Sequence, residues 1–557
     1  MNDLLSLWRS PLDKVALAEA EALRDRQPQC TTIPYNTDFD PITVYNFGYY
    51  GAVDGGSQAT NDTALTNMFT AMSGASRVGG AALIEQFKYP VYANNFAVPD
   101  QCNLIGMGGG GTGNSGASDF FHFVISDPLG AMAASTFFNC TGGHTDGGKY
   151  FRSLAFEWNS PAYVGDTCIY ADTWNCRAIN CTFNDCPVAF NAQGLSCTLE
   201  QCTVNYTVTA TAGPNNATAV ILAGPQCAVI GPGEFLQTSQ TSSKGGPTGC
   251  TCIAVQGPCE HGVIHNLHIS DWTTGIDFSQ KANSRYTTIS NVESQSWKTC
   301  INIQLPASAN NPIWGIKVAD CTLAISQDST TAGPVILIDT NTGNNNNMLN
   351  DIEISNCTVT SIQNGGIQPN NAYGLQVNGG SNIKVVGGTF SNFSPTGGAG
   401  IAITGAVGNT QIIGCNLRPN YPNAPHSYSQ QYAVLVSGSP ADTIIVDSCD
   451  MGGYSASPVS VTGTIASDSL FINNCHGYND QNTALNGGVA PTSSTSAATS
   501  SKPYYGPSVF TFSNSTAVTL HVFGQAFSMS FGIIFLPSPY DAFYFSSAPS
   551  SFSWIGK

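Results

Sequence analysis

Thr288-Ile289-Ser290-Asn291-Val292, Lys317-Val318-Ala319-Asp320-Cys321-Thr322-Leu323, Glu353-Ile354-Ser355-Asn356-Cys357-Thr358-Val359 and Lys384-Val385-Val386-Gly387-Gly388-Thr389-Phe390 are one phrase written four times. An alternating apolar run meets a small or amide residue, often followed by Cys, and a second alternating run begins. The phrase extends upstream to Val263-Ile264-His265-Asn266-Leu267-His268-Ile269. Downstream it returns at Ile412-Ile413-Gly414-Cys415-Asn416-Leu417, Val446-Asp447-Ser448-Cys449 and Ile472-Asn473-Asn474-Cys475. With Asn266, Asn291, Asp320, Asn356, Gly387, Gly414, Ser448 and Asn474 taken as equivalent, the steps are 25, 29, 36, 31, 27, 34 and 26 residues. A recurring step of that size marks a solenoid.

The local pattern chooses the kind of solenoid. Each repeat alternates with period two, is rich in Ile, Val and Thr, and is punctuated by Gly, Asn, Ser and Pro. No segment holds a 3.6-residue stripe, so helical repeats are excluded. Variable step length suits a parallel β-helix, whose turns release insertions without disturbing the stacked strands. Its coils rise about 4.8 Å each, so small and amide groups ladder at the turn and Cys packs as a small buried hydrophobe.

Composition bounds the function. The chain has 557 residues, 58 Gly and 10% charged residues, enough for a large core and too little charge for disorder. Its 18 basic and 35 acidic side chains leave a net charge of −17, which disfavours nucleic acid and anionic membrane as partners. No run of about 18 apolar residues offers a membrane span. Residues 1–30 lack a basic start, apolar core and small-residue cleavage site, so a cytoplasmic origin without a signal peptide is expected. The 19 Cys then read as thiols, with Cys321, Cys357, Cys415, Cys449 and Cys475 in one register. Cys250, Cys252, Cys259 and His261 form the cluster nearest to zinc spacing, but Cys-x-Cys is not a usual zinc knuckle, and no metal site is assigned.

Around this body lie accessory segments. Ser10-Pro11-Leu12-Asp13 opens a helix expected to reach about Arg26, followed by a linker to residue 41. Ile42 to Gly48 reads as a strand, Gly51 to Gly55 as a tight turn, and Asn61-Asp62-Thr63-Ala64-Leu65 as a helix start with Asp62 as N-cap. Body coils run over 131–490. Residues 491–502 are Ser/Thr-rich and read as a linker. Residues 503–557 hold 14 aromatics in 55 positions, too much apolar surface for so small a piece to bury alone. A C-terminal β cap that packs on the solenoid or on its own copies is expected.

The text of 42–130 resembles the opening module of the pectate-lyase-superfamily right-handed β-helix, whose pattern runs Phe-Gly-Ala-x-Gly-Asp-Gly and then Asp-Asp-Thr-x-Ala. Here Tyr49-Tyr50 is inserted, Val53 replaces the second Gly and Asn61 the first Asp. Tyr89-Pro90-Val91-Tyr92 and Leu104-Ile105-Gly106-Met107-Gly108 are similar to the family's next two motifs. The whole plan is similar to bacteriophage tailspikes and polysaccharide depolymerases. That resemblance implies a virion protein made in the host cytoplasm, a homotrimer, attachment to the phage tail or baseplate through the N-terminus, and a bacterial surface polysaccharide as partner.

Glycosidic cleavage needs two carboxylates. The densest ionisable and aromatic window is 259–300. From it come Asp271, Asp277 and Glu293 as acid, base or nucleophile, with His268, Trp272, Arg285, Tyr286 and Trp297 as substrate-binding residues. Lys317, Glu353 and Lys384, at one register on successive coils, read as a structural charge ladder. Glu234, Asp328 and Asp339 are second-line acids. A hydrolase without cofactor is favoured, because the negative net charge opposes a polyanion. A lyase acting on a uronic-acid polymer, for which Ca²⁺ would be relevant, and a non-catalytic receptor-binding spike remain the alternatives.

Overall fold

The computed structural model describes residues 42–476 apart from 75–79, 108–121, 130–132, 143–147, 160–163, 207–215, 238–248, 308, 326–332, 342–345, 362–372, 395–396, 420–429, 441, 453, 455–457 and 464–468. It also gives the backbone of short strands at Thr31–Ile33, Ala498–Ser500, Val509–Ser513, Val518–Val522, Gln525–Met529 and Ser551–Ile555. The expected helix over 10–26 lies outside the described residues. The chain divides into two compact units, Met1–Ile276 and Asp277–Lys557. Each is a right-handed parallel β-helix, the hand that parallel crossovers take.

In the first unit every coil contributes to three faces. The first face stacks Ile42–Asn46, Gly80–Ile84, Cys102–Gly106, Lys149–Arg152, Cys176–Ile179 and Thr198–Glu200 in parallel register. The second stacks Tyr89–Tyr92, Phe123–Ser126, Ala155–Asn159, Thr182–Asn184 and Thr203–Tyr206. The third stacks Asn94–Ala97, Thr136–Thr141, Thr167–Asp172, Val188–Ala192, Thr218–Leu222 and Thr251–Val255. Alternation sends one side chain in two to the interior, where register turns them into ladders. Phe123, Phe156 and Phe183 stack at 5.8 and 5.1 Å with near-parallel rings.

The helix Gln58–Gly74 closes the opening end by burying Leu65, Met68, Phe69 and Met72. Its start differs from expectation. Ser57 Oγ accepts from Thr60 N at 3.2 Å, so Ser57 caps the helix. Asp62, already inside it, accepts from Tyr92 N at 2.9 Å and Asn94 Nδ2 at 2.6 Å, tying helix to coil.

In the second unit Thr288–Gln304 passes through all three faces of one coil, pairing in turn with Lys317–Ala319, Thr322–Ile325 and Ile336–Asp339. The register continues to Leu470–Asn473, and Ile289, Val318, Ile354, Val385, Ile412, Val446 and Ile472 form one buried ladder. The repeat residues read from the sequence are its corners. Asn291, Asp320, Asn356, Gly387, Gly414, Ser448 and Asn474 all adopt left-handed backbone, with φ between 51° and 66°. Asn, Asp and Gly reach that region at least cost, which explains their choice.

At five of these seven corners the next residue is Cys, which is small and can donate. Cys321, Cys357, Cys449 and Cys475 each direct Sγ to the carbonyl two residues earlier, at 3.2, 3.3, 3.3 and 3.1 Å. Burial pushes the interior Cys252 thiol well above the ordinary range, keeping it protonated. Lys317, Glu353 and Lys384 do occupy one outward column, with Lys317 Nζ 3.3 Å from Glu353 Oε1.

Two outcomes follow from this architecture. Asn356→Val should cost about 1–2 kcal/mol in urea unfolding, whereas Asn356→Gly should stay within about 0.5 kcal/mol, because the cost is that of a β-branched residue in left-handed backbone. His122 is buried, accepts from Ala155 N at 3.1 Å through Nδ1, and faces Met107 O at 3.4 Å through Nε2. Burial pulls its pKa from 6.5 to about 4, against the opposing Met107 bond. The unfolded chain therefore takes a proton that the fold refuses. Stability present above pH 6.5 should be lost as pH falls toward 4, by up to about 3 kcal/mol. His122→Gln, able to keep both hydrogen bonds, should remove that part of the slope.

Candidate functional site

On the second face of the first unit, register fixes which side chains look outward. One column runs Pro90, Val124, Glu157, Asn184, Asn205, Leu236 and Ser270. A second runs Thr182, Thr203, Glu234 and His268. In the first column Glu157 is half-buried, its side chain 30% exposed, with Lys88 Nζ 3.9 Å away. Burial lifts its carboxyl above the ordinary glutamate range, Lys88 draws it back, and the negative charge of Asp185 lifts it further. Asp185 follows Asn184, the register partner of Glu157, and holds a left-handed corner with φ 54°. Its N–H donates to Asn205 O at 2.8 Å, and its carboxylate accepts from Asn184 Nδ2 at 3.4 Å. The two acids thus stand on adjacent coils, about 4.8 Å apart in rise. Phe87, beside Lys88, is 50% exposed and meets Tyr89 edge-on at 6.3 Å. A raised carboxyl next to a second carboxylate is the arrangement that separates acid from base.

The residues expected from the sequence are divided between the units. In the first, His268 is the register neighbour of Glu234 on the outer face. Asp271 is partly exposed and accepts from Ser270 Oγ at 3.0 Å. Trp272 is a correction: it is fully buried, stacks on Tyr206 at 5.8 Å, and donates from Nε1 to Phe235 O at 3.1 Å. A ring with no exposed face cannot carry a sugar.

In the second unit Asp277 is also a correction. It is buried, and accepts from Ser279 N at 3.0 Å, Ser279 Oγ at 3.0 Å and Asn302 Nδ2 at 2.8 Å. Those donors hold its carboxylate as a corner brace. Asp339 plays the same part, accepting from Gln304, Asn341 and Asn378. Glu293 is exposed beside Thr322, and Trp297 is partly buried. Arg285 and Tyr286 do come together, around a residue the sequence did not single out. The Arg285 guanidinium lies 5.5 Å from the Trp314 ring centre, and Tyr286 lies 5.7 Å from it.

Sequence reasoning also missed Glu157, Asp185 and a charge knot at the last coils. There Asp450 accepts from His476 Nδ1 at 3.0 Å, Arg418 Nε at 2.7 Å and Gly452 N at 3.1 Å. Burial works to raise the Asp450 carboxyl, but these donors outweigh it and hold it below the ordinary range. Glu157 had a readable signal, since Phe156 and Trp158 face inward and the acid between them must face out. Among the described residues no three His, Cys, Asp or Glu converge as metal ligands.

No family model and no curated protein matches the chain. Solved structures with a similar fold include tailspike protein 3 of bacteriophage CBA120, at 14% identity and TM-score 0.45, covering 84% of this chain and 69% of that one. The tailspike of E. coli bacteriophage HK620, solved with a pentasaccharide, aligns at 10% identity and TM-score 0.47 over 83% of this chain and 80% of that one. The A-module of an Azotobacter vinelandii mannuronan C-5 epimerase aligns at 12% identity and TM-score 0.41, over 78% and 96%.

The brace role of Asp277 gives a direct test. Asp277→Ala strands a buried donor set and should lower unfolding stability by about 1–3 kcal/mol, while Glu293→Ala on the open face should change it by less than about 0.5 kcal/mol.

Proposed function

We propose that the chain is a tailspike-type protein that binds a bacterial surface polysaccharide along its outer faces and hydrolyses it with Glu157 and Asp185. The observation that carries this reading is the half-buried Glu157, its carboxyl raised by burial and by Asp185 on the next coil. Glu157 delivers a proton to the glycosidic oxygen. Asp185, ionised, acts on the opposite side of the scissile bond as base or nucleophile. Phe87 offers an apolar face to a sugar ring, and Asn184 and Asn205 offer amides to its hydroxyls. The fold shared with two tailspikes agrees with the reading. The aromatic segment 503–557 and residues 1–41 would then serve trimer assembly and attachment to the phage tail.

The assay is release of reducing ends from capsular and lipopolysaccharide preparations, with ultraviolet absorbance followed for the double bond a lyase would leave. Glu157→Gln should lower the rate about 100-fold or more with binding retained. Asp271→Asn and Glu293→Gln should each change it less than about twofold. The parent rate should fall as pH rises through the raised Glu157 pKa. Binding without cleavage of any polysaccharide, or full activity in Glu157→Gln, would defeat the hydrolase reading; the first outcome would leave a receptor-binding spike.

A further inference from the structure

The second face of the first unit is entered through a corner where residues 48–50 and 53–55 of the opening coil meet residues 85–88 of the next. Gly48 N donates to both oxygens of Glu85, at 3.2 and 3.3 Å, and the Tyr89 hydroxyl donates to Oε2 at 3.0 Å. Lys88 N donates to Asp54 Oδ1 at 3.0 Å, and Gly55 N to Lys88 O at 2.8 Å. Gly48 is bare because a Cβ there would come within 2.8 Å of Glu85 Oε1. Both acids of this corner are thus engaged by backbone donors.

What the corner shows to solvent is apolar. Among the described residues six large apolar side chains are strongly exposed, and three of them, Tyr49, Val53 and Phe87, fall here at 46%, 49% and 50%. Exposed apolar side chains scattered singly are ordinary, but three on one corner mark a contact surface. The Tyr49 ring is also held in place. Its N–H donates to Asn46 Oδ1 at 3.1 Å, and its turn is closed by Gly51 N on Gly48 O at 3.1 Å, with Gly51 at φ 95°. The ring meets Tyr50 edge-on at 5.3 Å, and Tyr50 lies 6.4 Å from the buried Tyr45. Tyr49-Tyr50 is the insertion that sets this chain apart from the opening pattern it resembles.

The corner is continuous with the proposed cleavage site. Lys88, next to Phe87, lies 3.9 Å from Glu157. Register places Tyr49 one coil before Phe87, and Phe87 two coils before Glu157. The line from Glu157 to Tyr49 therefore rises about 14 Å.

We propose that Phe87 and Tyr49 are successive stacking subsites for uncharged sugar units, so that the polysaccharide runs from Glu157 along this corner toward the opening end of the solenoid. Each ring takes the C–H face of a pyranose. Glu85 and Asp54 are occupied by backbone donors and Lys88 is drawn to Glu157, so recognition here falls to rings rather than ions. The inference rests on the polysaccharide reading and adds the direction and charge class of the bound segment.

The test uses the full chain, the polysaccharide it cleaves in the reducing-end assay, and size-fractionated oligosaccharides of that polymer made by partial acid hydrolysis. The parent KM should fall as the oligosaccharides lengthen. Tyr49→Ala should raise KM for the polymer about fivefold or more, with kcat within about twofold and no change for the shortest substrates cleaved. Phe87→Ala should raise KM at shorter lengths as well, Tyr49→Phe should match the parent, and Leu129→Ala, exposed just past the far end of the second face, should leave KM unchanged. An unchanged KM in Tyr49→Ala, an equal loss at every length, or a Tyr49→Phe as weak as Tyr49→Ala would overturn the path, and a cleaved polymer whose units are all carboxylated would overturn its charge class. If the parent binds a polysaccharide without cleaving it, the hydrolase alone is rejected and the same length series read by calorimetry decides the path. Binding of no polysaccharide rejects both.

Discussion

The structure depends on a corner that only a few residues can turn. In each coil a short strand must end, bend and restart in register with the coil before it, and the backbone does this by one residue in the left-handed region. Asn356 and its equivalents pay the steric cost that β-branched neighbours could not. The Cys after the corner then satisfies a carbonyl and fills the small space left inside. Once corners are fixed, strand register is fixed, and the buried ladders follow from alternation without further instruction.

That constraint is why the body was legible. A corner writes Asn, Asp, Gly or, at Ser448, Ser into the sequence at each of these coils, and at five of the seven a small buried donor writes Cys after it. The charge ladder of Lys317, Glu353 and Lys384 was legible for the same reason, since its members keep a constant distance from the corner. The helix cap at Ser57 was not, because Asp62 offers equally good capping chemistry and only the tertiary bond to Tyr92 N decides its role.

The candidate site was far less legible, and the strand Val263–Asp277 shows the physical cause. It contains two left-handed residues, Asn266 and Asp271. Each resets the in-and-out phase, so the alternation that places His268 outside sends Trp272 inside. The aromatic density of 259–300 was therefore split between core and surface in a way no periodicity count resolves. Arg285 and Tyr286 are consecutive in the chain, yet the Trp314 ring that both approach is about thirty positions away and reaches them only through the coil step.

Outward columns explain why a β-helix can change chemistry without changing fold. A side chain there packs against few neighbours, so the scaffold leaves its identity open, while its spacing to the next coil is set by the hydrogen-bond ladder. Lys88, Glu157 and Asp185 come from three separated stretches, and the Glu157 carboxyl responds to both of the others. Its raised pKa is a property of the stack, created where a half-buried acid has one cation and one anion as neighbours. Asp277 and Asp339 show the opposite use of the same residue type: each is given a full set of donors and becomes a brace. The number of hydrogen-bond donors that the neighbouring coils supply, more than the presence of a carboxylate, separates braces such as Asp277 and Asp339 from a half-buried acid such as Glu157.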